Sequence, residues 1–226
     1  MLALGVSVAV LTARNVAGET FIPSRLYVPV NVAVAGLLLA IAAASRLSLA
    51  DIGLSPSRVL TGLRVAGVIV VIVAVAIALG AGLPLTRGFF EDQRIAAIDG
   101  GGALAYQVLV RIPFGTALLE EVAFRGVLLA LLSRHVSTAA AVAISSALFG
   151  LWHINPTLSA LATNELAPGV LAQTGAVTAA VIFTAIGGAL FCGLRLATDS
   201  LVAPLVVHAA INSLATLAAY LVLHTE

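Results

Sequence analysis

A chain of 226 residues that is 61% hydrophobic and only 9% charged lies far from soluble domains, in which about a quarter of residues are charged. It reads as an all-α, polytopic membrane protein, and a formal net charge of +1 gives no support for nucleic acid as a partner. Its basic residues are all arginine, and its single Cys192 sits in an apolar run, which excludes an intrachain disulfide and a cysteine metal site and leaves a small buried hydrophobe.

Apolar runs fall at about 1–17, 27–45, 62–83, 103–133, 136–154, 168–192 and 200–223. Most are long enough to cross a hydrocarbon core of roughly 30 Å as helices rising about 1.5 Å per residue. They predict a transmembrane bundle of about seven to eight helices around an intramembrane polar cavity. With no repeat or low-complexity linker, residues 1–226 form one integral membrane domain. The first run has no basic residue ahead of it and no soluble domain behind it, so it is not read as a secretory signal. It is a short first span, or the end of one that starts upstream.

Small residues in 62–82 suit close helix packing in lipid. Residues 46–58 read as a connecting loop or an interfacial segment, with Ser55 or Ser57 capping a helix that enters at Pro56. The longest polar connection, 83–102, mixes Arg87, Glu91, Asp92, Arg94 and Asp99 with Phe89 and Phe90. It predicts a short amphipathic helix on the membrane surface, taken as a connection rather than a lid over substrate. Pro113 is expected to break the fourth run and leave 113–133 as its spanning part. Loops on one side hold Arg46, Arg58, Arg64, Arg134 and Arg195; the other side holds Arg14, Arg25, Arg87, Arg94 and Arg111. With equal numbers on the two sides, the positive-inside rule assigns no orientation.

The fourth run carries Glu120, Glu121 and Arg125, each at a cost of about 2.5–3.5 kcal/mol at a helix centre. Glu121 and Arg125 stand four apart with the acid first, the favourable order for an ion pair. Glu120 points about 100° away and has no partner on its own helix, so it is the carboxylate left to face a cavity. Two later spans carry Phe149 with His153 and His208 with Asn212, again four apart and on one face. Counting rise from the span ends places Glu120, His153, His208 and Asn212 at one level, in the half of the membrane nearer Pro113.

A carboxylate with two imidazoles and an amide suits hydrolysis. The Glu takes a proton from water and hands it to a leaving amine. Histidine ligates a divalent metal or steadies the water, and Asn212 donates to the oxyanion of a tetrahedral intermediate. Plainer readings stand beside these: single histidines as helix-to-helix hydrogen bonds, Glu121–Arg125 as a bundle lock, and Phe149 as packing. Trp152 fits an interfacial belt or a cavity wall, and His135 and His224 sit at helix ends without a role.

Glu120-Glu121-Val-Ala-Phe-Arg125, Phe149-Gly-Leu-Trp-His153 and His208-Ala-Ala-Ile-Asn212 resemble, in order, the Glu-Glu-x-x-x-Arg, Phe-x-x-x-His and His-x-x-x-Asn signatures of one family. That family is the CPBP (CAAX protease and bacteriocin-processing, or Abi) intramembrane endopeptidases, which include the type II CAAX prenyl endopeptidases. The resemblance covers about 100–220, with Asp51-Ile-Gly-Leu54 similar to a weaker upstream feature. It implies an all-helical fold with a conical cavity and Glu120 as general base. It further implies that His153 helps to activate water and that His208 and Asn212 steady the oxyanion, with Glu121, Arg125 and Phe149 in support. It leaves open a divalent metal such as zinc, with Glu120, His153 and His208 as candidate ligands, or no metal at all. There is no His-Glu-x-x-His helix to favour zinc.

The implied partners are the lipid bilayer and a peptide or membrane-protein substrate, with the bacterial cytoplasmic (plasma) membrane as the expected location. The competing class is non-catalytic: a membrane scaffold, a bacteriocin-immunity protein, or a proton-coupled transporter using the same Glu, His and Arg. A transporter predicts matched broken helices in the two halves, and the first half shows none to match Gly187-Gly188 and Pro204.

Overall fold

The computed structural model describes residues 1–224, the side chains of 19 and 20 excepted, and contains no strand among them. Five helices are long and apolar enough to cross a membrane: Ser24–Ala44, Pro56–Gly82, Thr138–Thr163, Val170–Thr198 and Val202–His224. A shorter apolar helix, Leu2–Gly18, precedes them, and the chain kinks sharply at Gly18. Length, composition and burial pattern agree on an integral, multi-pass all-α protein.

The helix over 100–133 is the axis of the bundle. From Glu121 to Leu128 every residue is buried, whereas Val59–Gly82 buries only Gly62 and Ala66. Phe124, Leu119 and Leu128 of the central helix pack with Leu38, Ala42, Ile52 and Leu201 into one cluster. In lipid such packing gains dispersion contacts rather than transfer from water, so close fit decides stability. Cys192, fully buried, lies in a second cluster with Leu129, Leu132 and Ala141.

Pro113 does not break the central helix. The chain runs through it inside a wide-turned π segment, Gln107–Ala117, and a second such segment covers Glu121–Leu128. A proline in an α-helix loses one hydrogen bond and collides with the carbonyl four residues back; the wider turn moves that carbonyl aside and keeps the rod continuous.

Two connections also depart from expectation. Ser55 stands at the N-cap position ahead of Pro56, but its side chain makes no capping bond: the hydroxyls of Ser55 and Ser57 bond each other at 3.0 Å. The turn Pro56–Arg58 is closed by the Arg58 N–H donating to the Ser55 carbonyl. The 83–102 connection is a strap of short turns, Pro84–Arg87, Gly88–Phe90 and Gln93–Ala96, not one amphipathic helix. Asp92 caps the last of these turns by accepting the Arg94 backbone N–H, as an N-cap does.

The loop after Ala44 is held from two sides. Arg134 donates to the carbonyls of Ser45 and Arg46. Arg195 donates to those of Ala50 and Asp51, and the Leu201 N–H bonds the Gly53 carbonyl at 2.7 Å. Gly53 adopts φ 77°, where a side chain is strained, and a Cβ there would also collide with the Arg195 guanidinium.

Candidate active site

Glu120 closes a short α-helical turn, Leu118–Glu120, between the two wide segments. One residue of offset sends it and Glu121 to different surroundings. Glu120 lines a cavity of about 1310 Å³ together with Trp152, His153 and Asn212. The Trp152 indole N–H donates to Glu120 Oε1 at 3.0 Å, while Oε2 faces His208 Nε2 at 3.7 Å. Phe124 meets the Trp152 ring edge-on at 5.9 Å between centroids, which holds the indole in place.

His153 stands where one helix ends at Trp152 and the next begins at Ile154. Its Nδ1 is 2.8 Å from the Phe149 carbonyl. A carbonyl only accepts, so Nδ1 carries the proton and Nε2 is the basic nitrogen of the neutral ring.

Glu121 lies on the dry side. Its Oε1 takes the Arg125 guanidinium at 3.0 Å and His208 Nδ1 at 2.8 Å, and the Glu121 and Arg125 side chains are wholly excluded from solvent. The Arg125 guanidinium lies 3.9 Å from the Phe149 ring centre and 5.2 Å from that of Phe191, so aromatic faces replace water around the cation. Phe149 thus contacts Arg125, Phe124 and His153 at once. Phe191 stacks on His208 at 5.4 Å.

The local Glu121–Arg125 pair is therefore only half of what Glu121 does. It also receives His208 Nδ1–H, which leaves Nε2 of that ring directed at Glu120. Two acceptors 3.7 Å apart require a shared proton or water, or a doubly protonated ring between two carboxylates. His135 and His224 are exposed, His224 bonding the Tyr220 carbonyl.

Other cavity residues escape sequence reasoning: Arg14, Tyr27, Asn31 and Arg111. Arg14 donates to Asn31, which donates in turn to the Gly115 carbonyl. These contacts join helices remote in sequence; the one local signal was a polar Asn31 four residues after Tyr27 in an otherwise apolar span. The strap also contributes Phe89, Phe90, Asp92 and Arg94 to the wall.

Among the described residues no group of three His, Cys, Asp or Glu side chains is placed to hold a metal ion. Nδ1 of His153 and of His208 is engaged by a carbonyl and a carboxylate, which leaves Nε2 of each ring as the nitrogen that could meet a water or an ion.

Residues 102–214, half of the chain, match the model of the family described as type II CAAX prenyl endopeptidase Rce1-like. No curated protein and no solved structure matches the chain.

Proposed function

The chain belongs to the Rce1-like family of type II CAAX prenyl endopeptidases, and from that premise we propose that it hydrolyses a peptide bond in or near the bilayer with a water activated by Glu120. One observation carries this reading. Glu120 lines the same large cavity as His153 and Asn212, with one carboxylate oxygen fixed by Trp152 and the other facing His208.

The steps follow from the donors and acceptors. Glu120 accepts a proton from a water that His153 Nε2 also holds, and the hydroxide adds to the scissile carbonyl carbon. The carbonyl oxygen becomes an oxyanion, stabilised by the Asn212 amide N–H and by His208 when its Nε2 carries a proton. Collapse of the intermediate breaks the C–N bond as Glu120 returns its proton to the leaving amine. Glu121 is a positioning residue: through Nδ1 it fixes the ring plane and tautomer of His208.

A comparison of membrane-protein fragments from cells carrying the parent chain or Glu120→Gln tests the proposal and names a substrate. Identical fragment sets would sink it. Metal content and chelator sensitivity of an active preparation test whether an ion such as zinc takes part. Fractionation tests the bacterial cytoplasmic membrane as the location.

A further inference from the structure

We infer that Asn15, on the first helix, is a positioning residue for the catalytic site, an inference that rests on the endopeptidase reading above. The helix Thr138–Trp152 ends just before His153, and Ile154–Thr163 begins just after it. In an unbroken α-helix the Trp152 carbonyl would accept from the N–H four residues on. That residue is Pro156, which has none. The Asn15 side-chain amide supplies the missing donor, bonding the Trp152 carbonyl at 2.9 Å. Its own oxygen accepts the Asn155 side-chain amide at 2.8 Å. A carbonyl only accepts, so the partners fix which way the Asn15 amide is turned. The next carbonyl, of His153, is served by the N–H and hydroxyl of Thr157, so it is at Trp152 that the break draws on another helix.

The backbone so held carries two site residues. Trp152 donates its indole N–H to Glu120, and His153 follows it directly. Packing alone does not set the indole: an apolar cavity of about 220 Å³, bounded by Val8, Leu11, Phe124, Leu128 and Leu151, lies beside Trp152, and a flank without close neighbours does not fix a side chain. The first helix is a firm support for the amide, because Leu11, one turn before Asn15, is buried in the same core cluster as Phe124. An amide on an apolar helix is commonly used to bond a neighbouring helix. Here that bond falls on the break that aims Trp152 and His153, and a site works only while its supports hold such geometry closely. Asn15 stands outside residues 102–214, the stretch matched to the family, so a segment beyond the match completes the site.

Trp152 is the only tryptophan of the chain, so the emission of the full chain in neutral detergent reads it without any substrate. Glu120→Gln changes the group beside the indole N–H, and the emission maximum is expected to shift. In Asn15→Leu that shift shrinks about twofold or more, as coupling between the two positions requires. Asn15→Gln, which keeps the amide, restores part of it. Turnover follows the same order: Asn15→Leu lowers kcat by about three- to tenfold, the worth of one hydrogen bond, and leaves KM unchanged. Asn155→Leu, at an exposed position, moves both readouts the same way by less, and it carries the test where melting shows Asn15→Leu unfolded. An undiminished shift in the folded variants, or a raised KM with kcat intact, overturns the positioning role. So does the lack of any shift on Glu120→Gln in the parent, since the indole is then not held against Glu120. The two ideas fail separately. A shift that depends on Asn15 in a chain that cleaves no substrate sinks the hydrolase alone. Cleavage that depends on Glu120 but is indifferent to Asn15, with the shift intact, sinks the positioning role alone.

Discussion

Glu120 and Glu121 are consecutive, chemically identical and buried in the same helix, yet they belong to two different regions. On the wet side, Glu120 has a single hydrogen bond among the described residues, from Trp152, and borders a cavity. On the dry side, Glu121 is held by Arg125 and His208 under a cover of Phe149 and Phe191. Among the described residues each keeps one oxygen, Oε2, without a hydrogen bond, so the contrast teaches that a membrane carboxylate is available for chemistry when it borders a cavity, not merely when it is buried with an oxygen unclaimed.

Removing the dry carboxylate has the largest expected effect. Glu121→Ala leaves Arg125 and His208 without their anion, and breaking a buried pair this way costs about 3–5 kcal/mol. Thermal unfolding in detergent should drop accordingly, with activity falling alongside. A variant as stable as the parent would erase the distinction between the two sides. Glu120→Gln should do the reverse, lowering turnover by about 10²–10⁴-fold, the usual worth of a general base, while melting close to the parent. Next comes Trp152→Phe, which keeps the edge contact with Phe124 but removes the N–H on Glu120. About a tenfold loss in kcat/KM is expected for one charge-assisted bond, with no loss of fold. Unchanged kinetics would mean that Glu120 orients itself without help.

The smallest effect concerns the strap over the wet side. Burial works against ionisation of Asp92, but the Arg94 side chain, its backbone N–H and the Asn164 amide outweigh it and bring the carboxyl down to about 2. A depressed carboxylate contributes stability above its unfolded value and loses it as pH falls through the folded one. Proteolysis of 83–98 should therefore quicken as pH drops from about 4 toward about 2. In Asp92→Asn it should be quicker at neutral pH and lose that pH dependence.

The membrane spans were legible because apolar length is a one-dimensional signal. Rise per residue and alternating span direction predicted that Glu120, His153, His208 and Asn212 share a level; Glu120, His153 and Asn212 line one cavity and His208 faces Glu120 at 3.7 Å. The roles of those residues are not readable from spacing. The continuity through Pro113 was hidden because the rule for proline assumes an α turn. The Trp152–Glu120 bond and the Arg14–Asn31–Gly115 chain were hidden for another reason: nothing in either partner's local sequence encodes a neighbour on another helix.

The two wide turns of the central rod have a mechanical corollary. A π turn accommodates one more residue than an α turn, so each acts as a vernier between the halves of the rod it joins. Deleting Phe114, exposed on the rod, would let the first of them tighten to an α turn and leave the register after it unchanged. The same deletion within a plain α turn would rotate everything after it by about 100°, swinging Glu121 toward the cavity and Glu120 away from it. The wide turn thus lets the rod lose a residue without changing which of the two acids faces the cavity.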